Sequence, residues 1–309
     1  MSLVSEFSDG AVALSFHFIN KIGPIKGRQI INALSLGAGS IDDYVAAVLK
    51  TLNTNSGFSP NDALKALELA HSEIKNAEEF NIRVVPITSD EYPENLSRIS
   101  NAPLALFLLG STDALNRGRH VAVVGTRKPS RKGALSCQRI TQTLVEGGAS
   151  IVSGLALGCD TIAHETCLDS EGVTIAVMPC GLDSIAPASN RTLADAIVNS
   201  GGVLVSEYTT GTKPQKANYV QRNRIQSGLS DAVIIVEAAA KSGTMQTARQ
   251  CKMQGRALYA ISPNTFDSDA DTSGNSELIE GGANALGNKD DIQGLIRKLD
   301  DVAQNELLL

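Results

Sequence analysis

"VAVVGTRKPSRKG", residues 121–133, decides how the chain is read. A short apolar run, Val121–Val124, ends at Gly125, and four cations crowd into the six residues Arg127–Lys132. A short apolar run bounded by a turn signal marks a strand buried on both faces, as in a parallel sheet. The stretch that follows, "GALSCQRITQTLVEGG", has helix length and helix spacing. Strand, glycine loop and helix in succession make one βαβ half-unit.

The same grammar repeats on either side. Apolar, β-branched runs appear as "IRVVPI", "LALFLL", "SIVSG", "VTIAVM", "GVLVSE", "AVIIVEA" and "ALYAIS", with further helical segments such as "NRTLADAIVNSGG" between them. This alternation predicts a doubly wound, mostly parallel α/β sheet over residues 81–290. Residues 1–80 read instead as a small all-helical domain. "AVALSFHFINKI", "IKGRQIINALSL", "IDDYVAAVLKTLN" and "SPNDALKALELAHSEIKNAEEF" carry apolar residues three and four apart, and Ser59 before Pro60 is a helix start. The Gly-Pro turn in "KIGPIKGRQI" has the form of a helix-hairpin-helix or SAM-like element, with Lys21 where that motif usually has glycine. Residues 291–309 leave room for one helix and a tail, and for no winged-helix domain.

The composition excludes several functions. The 309 residues include 42% hydrophobic and 19% charged side chains, with no membrane-length apolar run and no basic, then apolar, amino-terminal leader. A cytoplasmic protein without membrane contact is expected. Five cysteines (137, 159, 167, 180, 251) form no C-x-x-C pair, and four histidines are scattered, so no metal and no catalytic thiol is expected. G-x-S-x-G, G-x-G-x-x-G and G-x-x-x-x-G-K-[ST] are all absent, which leaves no serine-triad elbow, dinucleotide fingerprint or triphosphate loop. No catalytic residue and no cofactor is assigned.

Charge placement says more. The net charge is −6, yet residues 117–132 hold six cations and no acid, and residues 211–228 hold Lys213, Lys216, Arg222 and Arg224, again with no acid. In an open α/β sheet ligands bind beyond the carboxyl ends of the strands. The loops "GTRKPSRKG", "SGLALGCD", "PCGLDSIAP", "SEYTTGTKP" and "EAAAKSGT" leave those ends and are expected to converge on one rim. Gly125, Gly154, Gly158, Gly181 and Gly243 can line an anion site there, beside Arg127, Lys128, Arg131, Lys132, Lys241 and Arg224; each glycine also fits a tight turn with nothing bound. Cations spread over several loops suit an extended phosphate chain such as a single-stranded nucleic acid.

These loops, in this order, resemble the DNA-processing protein A (DprA/Smf) family. The resemblance rests on "VVGTRKPS", "SGLALGCDTIAH", "TIAVMPCGLD", "SEYTTGTKP", "QRNRIQSGLS", "VIIVEAAAKSGTMQTA" and "GNSELIEGGA", and spans roughly residues 82–285. It implies an extended Rossmann-like, non-enzymatic protein that binds single-stranded DNA as a homodimer. It also implies loading of the RecA recombinase onto incoming strands in natural transformation and recombination, with single-strand-binding protein as a further partner. Carried over, the DNA-binding residues are Arg127, Lys128, Ser153, Gly154, Lys213, Arg222, Asn223, Arg224, Gly243 and Thr244. A structural alternative for Arg222 and Arg224 is an ion pair with Glu237 or Asp160. The chain departs from the family pattern at Leu157, at Ala186 and in "NYVQRNR". Two other readings use the same crevice. One is a phosphoribohydrolase of the lysine decarboxylase-like type, in which Thr247 would stand where the catalytic glutamate belongs. The other is a sensor of a small nucleotide.

Overall fold

The computed structural model describes residues 8–35, 40–52, 58–116 and 118–306. The amino-terminal part is helical: α1 (Asp9–Ser15), α2 (Pro24–Ser35), α3 (Ile41–Leu52) and α4 (Pro60–Glu79). Helix α4 begins as its sequence predicts. The Ser59 hydroxyl accepts from the Asp62 amide, the Asp62 carboxylate accepts from the Ser59 amide, and Pro60 takes the first helical position. Between α1 and α2, Lys21 adopts φ 74°, the left-handed conformation for which glycine is usual.

Strands and helices then alternate: β1 (Arg83–Pro86), α5 (Glu94–Ser97), β2 (Ala105–Gly110), β3 (Arg119–Val124), α6 (Arg131–Glu146), β4 (Ala149–Ser153), α7 (Cys159–Asp169) and β5 (Thr174–Val177). After them come α8 (Arg191–Asn199), β6 (Val203–Ser206), α9 (Lys216–Leu229), β7 (Ala232–Ile235), α10 (Thr244–Met253), β8 (Ala257–Ile261), α11 (Ser273–Glu280), β9 (Asn284–Leu286) and α12 (Lys289–Glu306). All eight runs read as strands are strands. Strand β9 was not foreseen: it is three residues long with two of them exposed, so it carries no apolar run to recognise.

The sheet order is β1-β2-β6-β5-β4-β3-β7-β8-β9. Strands β3 to β9 run parallel, while β1 and β2 add an antiparallel edge next to β6. From β3 the chain builds outward through β4, β5 and β6, then returns to lay β7 on the other side of β3. The reversal lies between β3 and β7, the position at which such sheets open a crevice.

Alternation within β3 shows how both faces are filled. Val121 and Val123 pack with α6, α7 and α12, whereas Ala122 and Val124 pack with α9, α10 and α11. The amino-terminal helices share a third apolar cluster with the sheet, in which Leu14, Leu67 and Ala70 join Phe107, Met178 and Leu204.

The loop after β4 is fixed from beneath by His164 of α7. Thr174 Oγ1 donates to the Ile151 carbonyl, so it accepts from His164 Nδ1–H at 2.7 Å, and the imidazole Nε2 accepts from the Leu155 amide at 3.3 Å. This tautomer holds Leu155 at φ 56°. Asn190 secures the same turn by donating to the Leu155 carbonyl and to Thr161 Oγ1. Burial, with the Arg222 charge adding to it, pushes the His164 pKa down to about 3.

Two expectations follow from this packing. Replacing Phe107 by Ala should lower the unfolding free energy by about 3–5 kcal/mol in urea titrations, the range for emptying a buried phenylalanine site. Because the folded His164 pKa lies below its unfolded value, protons bind preferentially to the unfolded chain. Stability should therefore fall as pH drops from about 6.5 towards 3, and His164→Gln should flatten that part of the stability–pH curve.

Candidate nucleic-acid interface

At the switch point the loops after β3, β4 and β7 are stitched to one another. The Thr126 amide donates to the Glu237 carbonyl at 2.8 Å, and the Cys159 amide donates to the Thr126 carbonyl at 3.1 Å. Glu237, which follows β7 closely, is buried and accepts from both the amide and the hydroxyl of Ser130, at 3.0 and 2.8 Å. The same Ser130 hydroxyl caps α6 by accepting from the Gly133 amide. The cation-rich loop is therefore held at both ends, with Arg127 and Lys128 exposed between them.

A crevice of about 680 Å³ opens here. Its walls are Val124–Arg127, Ala156 and Asp160, one face of α9 from Lys216 to Gln226 with Pro214 and Gln215 before it, and Ser242 with the start of α10. Three cations, Arg127, Lys216 and Arg222, face one acid, Asp160. The Arg127 guanidinium lies over the Tyr219 ring, 5.1 Å from its centroid, a cation–π arrangement that lays the charge across the mouth. Arg222 is deep: its side chain is 4% exposed, Nη2 donates to the Gly154 carbonyl at 3.1 Å, and the nearest Asp160 oxygen is 3.9 Å away. Burial raises the Asp160 pKa and lowers that of Arg222, and each charge opposes the shift of the other.

The residues singled out from sequence separate into three groups. Arg127, Arg222, Asn223, Gly243 and Thr244 line the crevice, and Thr244 Oγ1 donates to the Gly125 carbonyl across it. Lys128 and Lys213 are exposed and outside the lining. Ser153, Gly154 and Arg224 face inward. The Ser153 hydroxyl donates to the Val123 carbonyl, and Gly154 is roofed by the Arg222 guanidinium. Arg224 forms a two-point pair with Glu207 at 2.6 and 2.7 Å and also donates to the Asn101 carbonyl. Of the two acids foreseen as arginine partners, Asp160 faces Arg222, whereas Glu237 serves the β3 loop.

Other expectations about the rim differ from what the fold builds. The β5 loop and the first part of the β6 loop meet each other and α4: the Gly181 amide donates to the Thr212 carbonyl, and Glu73 accepts from the Thr210 amide and hydroxyl, while the end of the β6 loop reaches the crevice at Pro214. Gly125 and Gly158 are needed for close packing, since a Cβ at either would strike Cys159 or the Thr126–Arg127 backbone. Only Gly243 among these loop glycines has open space at its Cβ position. Lys132 is engaged by Asp267 at 2.8 Å. Arg117 lies outside the described residues.

Sequence reading did not single out Tyr219, Gln226 or Ser242. Tyr219 and Gln226 stand three residues before and four after Arg222, hence on its face of α9; that spacing was the available signal. Among the described residues no cluster of three or more His, Cys, Asp or Glu side chains could hold a metal ion, and no helix is long and apolar enough to cross a membrane.

Comparison with known proteins agrees with this architecture. The family model described as DNA recombination-mediator protein A matches residues 83–297. The DNA processing protein DprA of Bacillus subtilis is 39% identical over 214 residues, which are 69% of this chain and 71% of that protein. In other curated relatives the matched region makes up as little as 49% of the protein. The X-ray structure of DNA processing protein A from Streptococcus pneumoniae superposes with a TM-score of 0.76 at 29% identity, covering 92% of this chain and 95% of that one. DNA processing protein A from Helicobacter pylori, whose structure is described for its single-stranded DNA binding mode, gives a TM-score of 0.62 at 31% identity. That match covers 71% of this chain and 96% of the other. With the family model matched over residues 83–297 and a curated relative 39% identical over 69% of its length, the chain belongs to the DNA recombination-mediator protein A family, whose curated relatives carry the names DprA and Smf.

Proposed function

We propose that the protein binds single-stranded DNA in the crevice between β3 and β7 and loads the RecA recombinase onto the bound strand. The observation that carries this reading is the crevice lining itself, with Arg127, Lys216 and Arg222 against the single acid Asp160 in a chain of net charge −6. Exposed Lys128 and Lys213 extend the positive surface beyond the mouth, so a strand several nucleotides long meets cations along its backbone. The strand-binding mode for which the Helicobacter pylori relative is described supports the same ligand here.

Within this reading Arg127, Lys128, Lys213 and Lys216 neutralise phosphates. Asn223 and Thr244 supply polar contacts, and the amides at Gly243 sit at the positive end of α10. Arg222 acts from below, while Ser153, Gly154 and Arg224 hold the walls in place. The role is that of a binder in the cytoplasm, working as a homodimer in natural transformation and recombination, with single-strand-binding protein as the competitor it displaces or bypasses. A binder is favoured over a phosphoribohydrolase because Thr247, buried beneath the start of α10, stands where that chemistry needs a carboxylate.

Fluorescence anisotropy with an oligothymidine strand tests this. Affinity should fall steeply with added salt, and unlabelled duplex should compete poorly. Arg127→Ala should weaken binding about tenfold and reduce the slope of log affinity against log salt by about 0.7, the share of one single-strand phosphate contact. Equal preference for duplex, or a slope unchanged in a folded Arg127→Ala protein, removes the assignment.

A further inference from the structure

Four buried polar atoms of residues that line the crevice have no hydrogen-bond partner among the described residues. They are Nε and Nη1 of Arg222, Nε2 of Gln226 and Oγ of Ser242. Arg222 is 3% exposed, Gln226 is 1% exposed, and Ser242, half-buried as a residue, has its Oγ buried, so bulk water does not satisfy them. Buried polar groups in folded proteins are paired with few exceptions, and an exception calls for an explanation. All four atoms are able to donate, so the missing partner is a group rich in acceptors.

The surroundings narrow its chemistry. Arg222 and Gln226 are one turn apart on α9, and Ser242 stands just before α10, a ten-residue helix whose N-cap is Gly243. Nothing lies within 4 Å of a Cβ at Gly243, so the positive end of α10 is open on this side. The crevice lining as a whole has two more cations than acids. A phosphodiester inside a strand brings one negative charge and two free oxygens. A phosphomonoester brings about −1.5 to −2 and three acceptor oxygens, which matches the excess charge and supplies lone pairs enough for all four donors.

We propose that the crevice floor, made by Arg222, Gln226, Ser242 and the amino end of α10, holds a phosphomonoester. Its source is the phosphorylated terminus of a DNA strand, with a free nucleoside monophosphate as the other carrier of the same group. The strand-end form of this inference rests on the strand-binding reading of the crevice. Asp160 fits the assignment: at 3.9 Å from Nη2 it faces Arg222 without occupying the arginine's Nε or Nη1.

The test compares internally labelled (dT)20 carrying a 5′-phosphate, a 3′-phosphate or no phosphate, and separately titrates thymidine monophosphate and thymidine by calorimetry. One phosphorylated strand should bind about tenfold more tightly than the unphosphorylated one, the scale of one or two added charge-assisted hydrogen bonds. Thymidine monophosphate should bind where thymidine does not. Binding of the monophosphate without an advantage for either strand end supports the floor site and assigns it to free nucleotides. Equal affinity of all three strands together with no heat from the monophosphate overturns the proposal, and does so even where the salt-dependent strand binding above is observed. Ser242→Ala and Gln226→Leu both leave the Arg222–Asp160 pair intact, and their folding is checked by thermal melts. In each, the advantage of the phosphate group should shrink towards unity; an undiminished advantage in both variants sinks the assignment.

Discussion

Burying a guanidinium beside a functional crevice is costly unless its charge is answered, and the way Arg222 is answered organises the switch point. Asp160 supplies the counter-charge from the first turn of α7, and the Gly154 carbonyl accepts from Nη2. Both partners sit around the loop after β4, so α9 is tied to that loop through a single side chain. Gly154 has no alternative, because any Cβ there would enter the space of the guanidinium. The loop shape that permits this contact is in turn set by His164 and Asn190 beneath it. One buried cation thus links two helices and a loop, while keeping two of its nitrogens unspent.

The β3 loop solves a different problem. Four cations in six residues repel one another, and a free loop would spread them into solvent. Glu237 prevents this by accepting from Ser130 at the far end of the loop, while its carbonyl accepts from Thr126 at the near end. Anchored at both ends, the loop presents Arg127 over Tyr219 and leaves Lys128 in solvent. The carboxylate that does this is buried and makes its contacts with Ser130, not with the cations of the loop.

Much of this was legible from the residues, and what was missed has physical causes. The strands were readable because burial on both faces demands continuous apolar runs, as Val121–Val124 and Val233–Val236 show; β9 escaped because a short edge strand has no such demand. The crevice was locatable from the rule that α/β loops gather at strand ends, and five of the residues assigned to it line it. The rule did not say how far each loop would reach: the loop after β5 and the first part of the loop after β6 meet each other and α4, and only the end of the β6 loop, at Pro214 and Gln215, returns to the crevice. Nor could a cation-rich string separate Arg222 from Arg224. They are two residues apart on a helix and so point about 200° apart, one to the crevice and one to Glu207. The loop glycines were ambiguous for a related reason, since a sequence records that a Cβ is absent but not what fills its place.

The contrast between an acidic chain and a basic crevice now has a mechanical basis. Several cations outside the crevice are held by acids: Arg83 by Glu91, Arg119 by Asp300, Lys132 by Asp267 and Arg224 by Glu207. At the crevice Arg127 is laid on an aromatic face, which attracts the charge without cancelling it. Arg222 has an acid neighbour at 3.9 Å, farther than the 2.6–2.8 Å of the surface pairs, so its field is only partly neutralised. The net charge of −6 is thus compatible with a crevice whose lining carries three cations and one acid.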